Sequence, residues 1–104
     1  MANELMPNHR EMVILSLLLH GELYGRDIRN RYEQRTKEEI PLGSLYVTLD
    51  RMEDKGFIKA RLGESSHRRG GNRRKYYKLT GAGSTALDRA SQRAMTLFGG
   101  LAHG

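Results

Sequence analysis

Residues 57–79 read FIKARLGESSHRRGGNRRKYYKL. Upstream of this stretch the apolar residues recur with a helical period; within it the period falls to two. Phe57, Ile58, Ala60 and Leu62 predict a strand over 57–63, and Tyr76, Tyr77 and Leu79 predict a second over 73–79. Between them Glu64–Asn72, rich in Ser, Gly and Arg, reads as a hairpin loop. From His67 to Lys78 there are six basic residues (Arg68, Arg69, Arg73, Arg74, Lys75, Lys78) and no acid. The chain carries 18 Lys and Arg against 12 Asp and Glu, a formal net charge of +6. Outside this stretch 12 basic residues balance the 12 acids, so the excess charge belongs to the hairpin. A one-signed loop on a small domain is the electrostatic footprint of a polyanion binder.

Three helices are expected before the hairpin. The first has Pro7 in its opening turn and runs to about His20, with Gly21 as its stop. The second runs from Tyr24 or Gly25 to about Arg35, with Tyr24, Ile28 and Tyr32 as its inner stripe. Lys37–Leu42 is a connector in which Ile40-Pro41 makes a very short strand. The third runs from Ser44 to Lys55 and closes at Gly56, with Leu45, Leu49 and Met52 on one face. Val47, Arg51 and Asp54 point the opposite way, flanked by Ser44 and Tyr46. Asp50 and Asp54, with nearby Arg51 and Lys55, read as mostly solvated charges. A last helix begins after Thr80 or Ser84, with Leu87, Ala90, Ala94, Leu97, Phe98 and Leu101 as its apolar stripe. The order helix, helix, helix, hairpin, helix is a winged helix-turn-helix layout: mainly α with a small β-hairpin and a C-terminal dimerisation helix. Residues 1–80 form the expected DNA-binding domain and 81–104 the dimerisation helix.

Composition narrows the function. A length of 104 residues suits one domain with a modest core. The longest apolar run, Met12–Leu19, is far shorter than the roughly 20 residues a bilayer span needs. No secretory leader pattern opens the chain, and with no cysteine there is no disulfide framework; both suit a cytoplasmic protein. The four histidines (His9, His20, His67, His103) lack metal-ligand spacing, so no metal is expected. No catalytic constellation or phosphate-binding loop is present, so neither catalysis nor a cofactor is expected.

Four motifs in order carry a family resemblance: Tyr24-Gly25 opening helix two; Gly43-Ser44-Leu45-Tyr46 at the start of helix three; Leu49-Asp50-Arg51-Met52-Glu53 with Gly56; and Arg73-Arg74-Lys75-Tyr76-Tyr77-Lys78-Leu79-Thr80 with Gly83. Across residues 10 to 100 the chain resembles the PadR family of bacterial transcriptional regulators, in its compact subgroup with a single C-terminal helix. The resemblance implies a homodimeric repressor that releases DNA when a small effector binds. Val47 stands where many members have proline after the helix-three tyrosine, so base preference is not carried over. Some multidrug-sensing members stack flat ligands on tryptophan in the last helix; this chain has no Trp, and Phe98 is the nearest aromatic.

The expected DNA contacts are Ser44, Tyr46, Val47 and Arg51 on the third helix, with Arg68, Arg69, Asn72, Arg73, Arg74 and Lys75 on the hairpin. Ser44 and Tyr46 suit phosphate near a helix N-terminus, Arg51 a guanine edge or phosphate, and Val47 a thymine methyl. Each has a plainer alternative: a solvated basic turn, half-buried packing for Tyr46, an intrahelical pair with Asp54 for Arg51, simple exposure for Val47. Of Tyr76 and Tyr77, one packs inward and the other lies on the outer face. Leu87, Ala94, Leu97, Phe98 and Leu101 are the expected dimer contacts, which a two-fold axis would translate into a palindromic operator in double-stranded DNA. An effector is expected between the last helix and the first, near Met12, Leu15 and Phe98. The competing function is a winged-helix module that binds RNA or a protein partner.

Overall fold

In the computed structural model the described residues are 6–63 and 74–99. They form α1 (His9–Leu17), a 3-10 turn (Leu18–His20), β1 (Leu23–Tyr24), α2 (Gly25–Thr36), α3 (Leu42–Asp54), β2 (Ile58–Leu62), β3 (Lys75–Leu79) and α4 (Gly81–Phe98).

Asn8 starts α1 with a capping box: its side chain accepts the Glu11 N–H at 2.8 Å, and the Glu11 carboxylate accepts the Asn8 N–H at 2.9 Å. Pro7 therefore precedes the cap instead of occupying the first turn. The expected strand at Ile40-Pro41 does not form. The Ile40 N–H donates to the Glu33 carboxylate at 2.8 Å, and its carbonyl accepts from Arg29 Nε at 2.9 Å. Side chains of α2 satisfy that backbone, and Ile40 is buried without a ladder. With Pro41 at its N-cap, α3 begins at Leu42, two residues before Ser44. Gly56, at φ 80°, closes it.

The sheet has three strands in the order β1-β3-β2, all antiparallel. The register pairs Tyr24 with Tyr76 and Tyr76 with Arg61, and Leu23 with Tyr77 and Tyr77 with Ala60. The first row lies on the outer face and the second on the core side, with Tyr77 buried and Tyr76 half-buried. The hairpin strands were legible; β1, two residues without a period, was not.

The core gathers Ile14, Leu15, Ile28, Leu45, Leu49, Met52 and Tyr77, all fully buried. Removing each such aliphatic side chain from water contributes about 1.5–3 kcal/mol. Glu11 is buried among them, at 1% exposure, and Lys55 Nζ donates to both of its carboxylate oxygens at 2.9 Å. Lys55 is thus not a solvated charge: it ties the end of α3 to the start of α1. Thr80 caps α4 by accepting the Gly83 N–H at 3.0 Å, and its hydroxyl reaches the Gly56 and Phe57 carbonyls, anchoring α4 where α3 hands over to β2.

Candidate nucleic-acid interface

With Leu45, Leu49 and Met52 turned inward, α3 leaves Ser44, Val47, Asp50, Arg51 and Asp54 on its solvent side. Val47 is 53% exposed, so the outward face is not filled by the protein's own interior. Among the described residues Arg51 has no ion-pair partner; the alternative pairing with Asp54 is not made. Tyr46 is half-buried and packs on the core, with its ring against Gly25 at the start of α2. The packing alternative therefore describes most of this side chain. Ser44 lies at the third position of the helix, within the first turn whose N–H groups favour an anion. One cation and two acids share the outward face, so α3 brings shape and hydrogen-bonding groups but no net positive charge.

Of the six basic residues from Arg68 to Lys78, Arg74, Lys75 and Lys78 are described, all exposed, and Lys75 lies beside α3. Lys75 Nζ lies 3.6 Å from the Glu53 carboxylate and 5.6 Å from the Tyr77 ring centroid, so the base of β3 is tied to α3. Arg74 lies 4.8 Å over the Tyr24 ring, on the outer face of the sheet. Arg68, Arg69, Asn72 and Arg73 fall outside the described residues. Beneath, the Tyr77 hydroxyl is buried with no hydrogen-bond partner among the described residues. Burial first, then the negative fields of Tyr46, Asp50 and Glu53, push its pKa above the ordinary phenol range.

A three-stranded sheet packs with the helices, and α3 keeps an open outward face with the start of β3 beside it. The model of the transcriptional regulator PadR-like family matches residues 14–89. The chain belongs to this PadR-like family. It is a DNA-binding transcriptional regulator. The PadR-like regulator is 32% identical over 87 residues to an uncharacterized protein of Lysinibacillus sphaericus, covering 82% of this chain and 77% of that protein. A PadR family regulator of Clostridium difficile superposes with TM-score 0.74 at 28% identity, over 92% of this chain and 97% of that one. A PadR-like transcription factor of Bacteroides fragilis gives TM-score 0.76 at 29% identity, over 89% of this chain and 86% of that one. Bacillus subtilis PadR, solved in complex with operator DNA, gives TM-score 0.69 at 28% identity, over 79% of this chain and 46% of that one.

In this PadR-like regulator α4 has two halves. Leu87, expected at the dimer contact, is 8% exposed and buried with Ala86 and Ala90 in the core of the single chain. Beyond it Ala94 is half-buried, while Leu97 (58%) and Phe98 (59%) are exposed. Met95, 69% exposed, lies off the Leu87–Leu97 stripe. Leu101 lies outside the described residues. Met12 and Phe98 line one groove of about 180 Å³ with Pro7, Arg93, Ala94 and Leu97. Leu15, expected beside them, is fully buried and cannot line an open site. Among the described residues no His, Cys, Asp and Glu gather as metal ligands, and no helix is long and apolar enough to cross a membrane.

Proposed function

We propose that this regulator is a cytoplasmic, homodimeric, effector-responsive repressor that lays α3 in the major groove of a palindromic operator. Residues 1–80 act as the DNA-binding unit and 81–104 as the dimerisation helix. Ser44, Val47 and Arg51 meet the groove, with Tyr46 contributing its hydroxyl edge; Arg68, Arg69, Asn72, Arg73, Arg74 and Lys75 hold the phosphate backbone. One observation carries the reading: the outward face of α3 is open, and β3, which leads out of the basic stretch, starts beside it at Lys75, 3.6 Å from Glu53. The exposed Leu97 and Phe98, with Ala94 and Leu101, supply the apolar face that a second copy covers. That dimer sets two α3 helices about 34–36 Å apart, one DNA turn. An apolar effector in the groove at Met12 and Phe98 acts by changing this separation, so affinity falls without any change at the contact residues. The chemistry is binding, and no catalytic role is assigned to any residue.

Selection of bound sites from a random duplex library tests duplex binding, symmetry and spacing together. A two-fold symmetric site one turn across is the expected product; an asymmetric site with no preferred spacing rejects the dimeric reading. Arg73→Ala with Arg74→Ala is expected to weaken all sequences alike, each lost phosphate contact removing about 0.9 from the slope of log affinity against log salt. Preference for single-stranded RNA over duplex in the same titration would favour an RNA-binding module.

A further inference from the structure

The outer face of the sheet carries a row that phosphate contact does not account for. Tyr24, Tyr76 and Arg61 are neighbours in register on β1, β3 and β2. The Tyr24 and Tyr76 rings lie 6.0 Å apart at 55°. The Arg61 guanidinium sits 4.7 Å over the Tyr76 ring, and that of Arg74 4.8 Å over Tyr24. Arg61 also forms a two-pronged ion pair with Glu22, just ahead of β1. Because β3 is the central strand, this pair joins the two edges of the sheet across it. A Cβ on Gly63, two residues beyond Arg61, would stand 2.7 Å from the Tyr76 ring, so the layer is closely packed.

A two-residue strand needs such help. Isolated short ladders are marginal, and β1 contributes only two register pairs. Farther along the same face Lys59 and Lys78 stand directly opposite each other, a like-charge pair that opposes pairing. β1 joins the sheet to the start of the helix-turn-helix, as β2 joins it to the end: Tyr24 is the N-cap of α2, and Gly25 packs against Tyr46 of α3.

We propose that the Glu22–Arg61 pair, with the Tyr76, Tyr24 and Arg74 layer it adjoins, is a brace that fixes the wing against the helix-turn-helix, making these positioning residues for DNA binding. The inference rests on the hairpin being the phosphate-binding wing. Its signature is a reversal of sign. Removing an acid from a DNA-binding surface should strengthen binding on electrostatics alone. Removing Glu22 from the brace releases the wing and weakens it.

The test is anisotropy titration of a mixed-sequence duplex of about three helical turns at several salt concentrations, with circular dichroism melts alongside. Glu22→Ala is expected to lower affinity about three- to tenfold and to flatten the salt slope by roughly one to two, as wing contacts are lost. The exchanged pair, Glu22→Arg with Arg61→Glu, keeps the net charge and is expected to recover most of that loss; Tyr76→Phe, which keeps the ring, is expected to bind as the parent does. Tighter or unchanged binding by Glu22→Ala, or an exchanged pair no better than either single variant, overturns the brace. If the parent itself shows no salt-dependent duplex binding, the wing reading fails first, and the brace with it.

Discussion

The Tyr77 hydroxyl shows how one atom separates packing from chemistry. The ring is fully buried and central to the sheet, but its oxygen has no partner among the described residues. A buried polar group without a hydrogen bond gives nothing back for its lost hydration. Tyr77→Phe is therefore expected to leave stability within about 1 kcal/mol of the parent or to raise it, measured by urea unfolding at neutral pH. The folded pKa lies above the unfolded value of 10.0, because burial favours the neutral phenol. Its contribution is thus fully present below pH 10 and is lost as pH rises above it; Tyr77→Phe should flatten this part of the alkaline decline in stability. Lys55 gives the complementary case. Lys55→Met strands the buried Glu11 carboxylate and is expected to cost about 2–3 kcal/mol, while adding Glu11→Gln should recover part of it. A double-mutant cycle in urea measures the coupling; strict additivity would mean the contact is energetically idle.

Among the elements, α4 divides its apolar stripe between two environments. Its stripe from Leu87 to Phe98 has one helical period, but the first half faces the monomer core and the second faces solvent. Periodicity reports which residues share a face, and it does not say whose surface covers them. Leu97→Asp with Phe98→Asp is expected to produce monomers in sedimentation velocity and to lower the thermal midpoint only by the lost subunit contact, because both side chains are exposed on the single chain. Leu87→Asp should instead unfold the protein. The start of α4 is fixed differently: a Cβ on Gly83 would collide with the Phe57 carbonyl, so helix and sheet meet backbone to backbone. Gly83→Ala is expected to destabilise by about 1–3 kcal/mol, read from the urea midpoint, because neither backbone can retreat cheaply. Likewise α2 was visible from Ile28 and Tyr32, but the missing strand at Ile40-Pro41 depended on Arg29 and Glu33 reaching eleven and seven residues along the chain, which no local pattern encodes.

For the whole molecule, charge and shape divide the labour. The outward face of α3 holds Arg51 against Asp50 and Asp54, whereas the net charge of +6 traces to the hairpin. On the proposed mode of binding, affinity should therefore follow the wing and selectivity the helix. Val47→Ala with Arg51→Ala is expected to leave binding to unrelated duplex nearly unchanged while costing about 1–3 kcal/mol on the selected operator, measured by competition at fixed salt. A uniform loss on all sequences would move Arg51 to the phosphate backbone.

The chain by itself determined what depends on neighbours in sequence. The helical stripes, the change of period at Phe57, the Gly56 stop and the concentration of basic residues from Arg68 to Lys78 follow from residue order and suffice for a winged helix-turn-helix. Only the tertiary structure decided what depends on distant groups meeting. It turned Lys55 onto Glu11, laid Tyr46 against Gly25, drew Leu87 and Leu15 inside, and recruited Leu23-Tyr24 as a third strand. Local periodicity fixes which side of an element is apolar, but burial, ion pairing and strand addition are settled by whichever partner arrives from elsewhere in the chain.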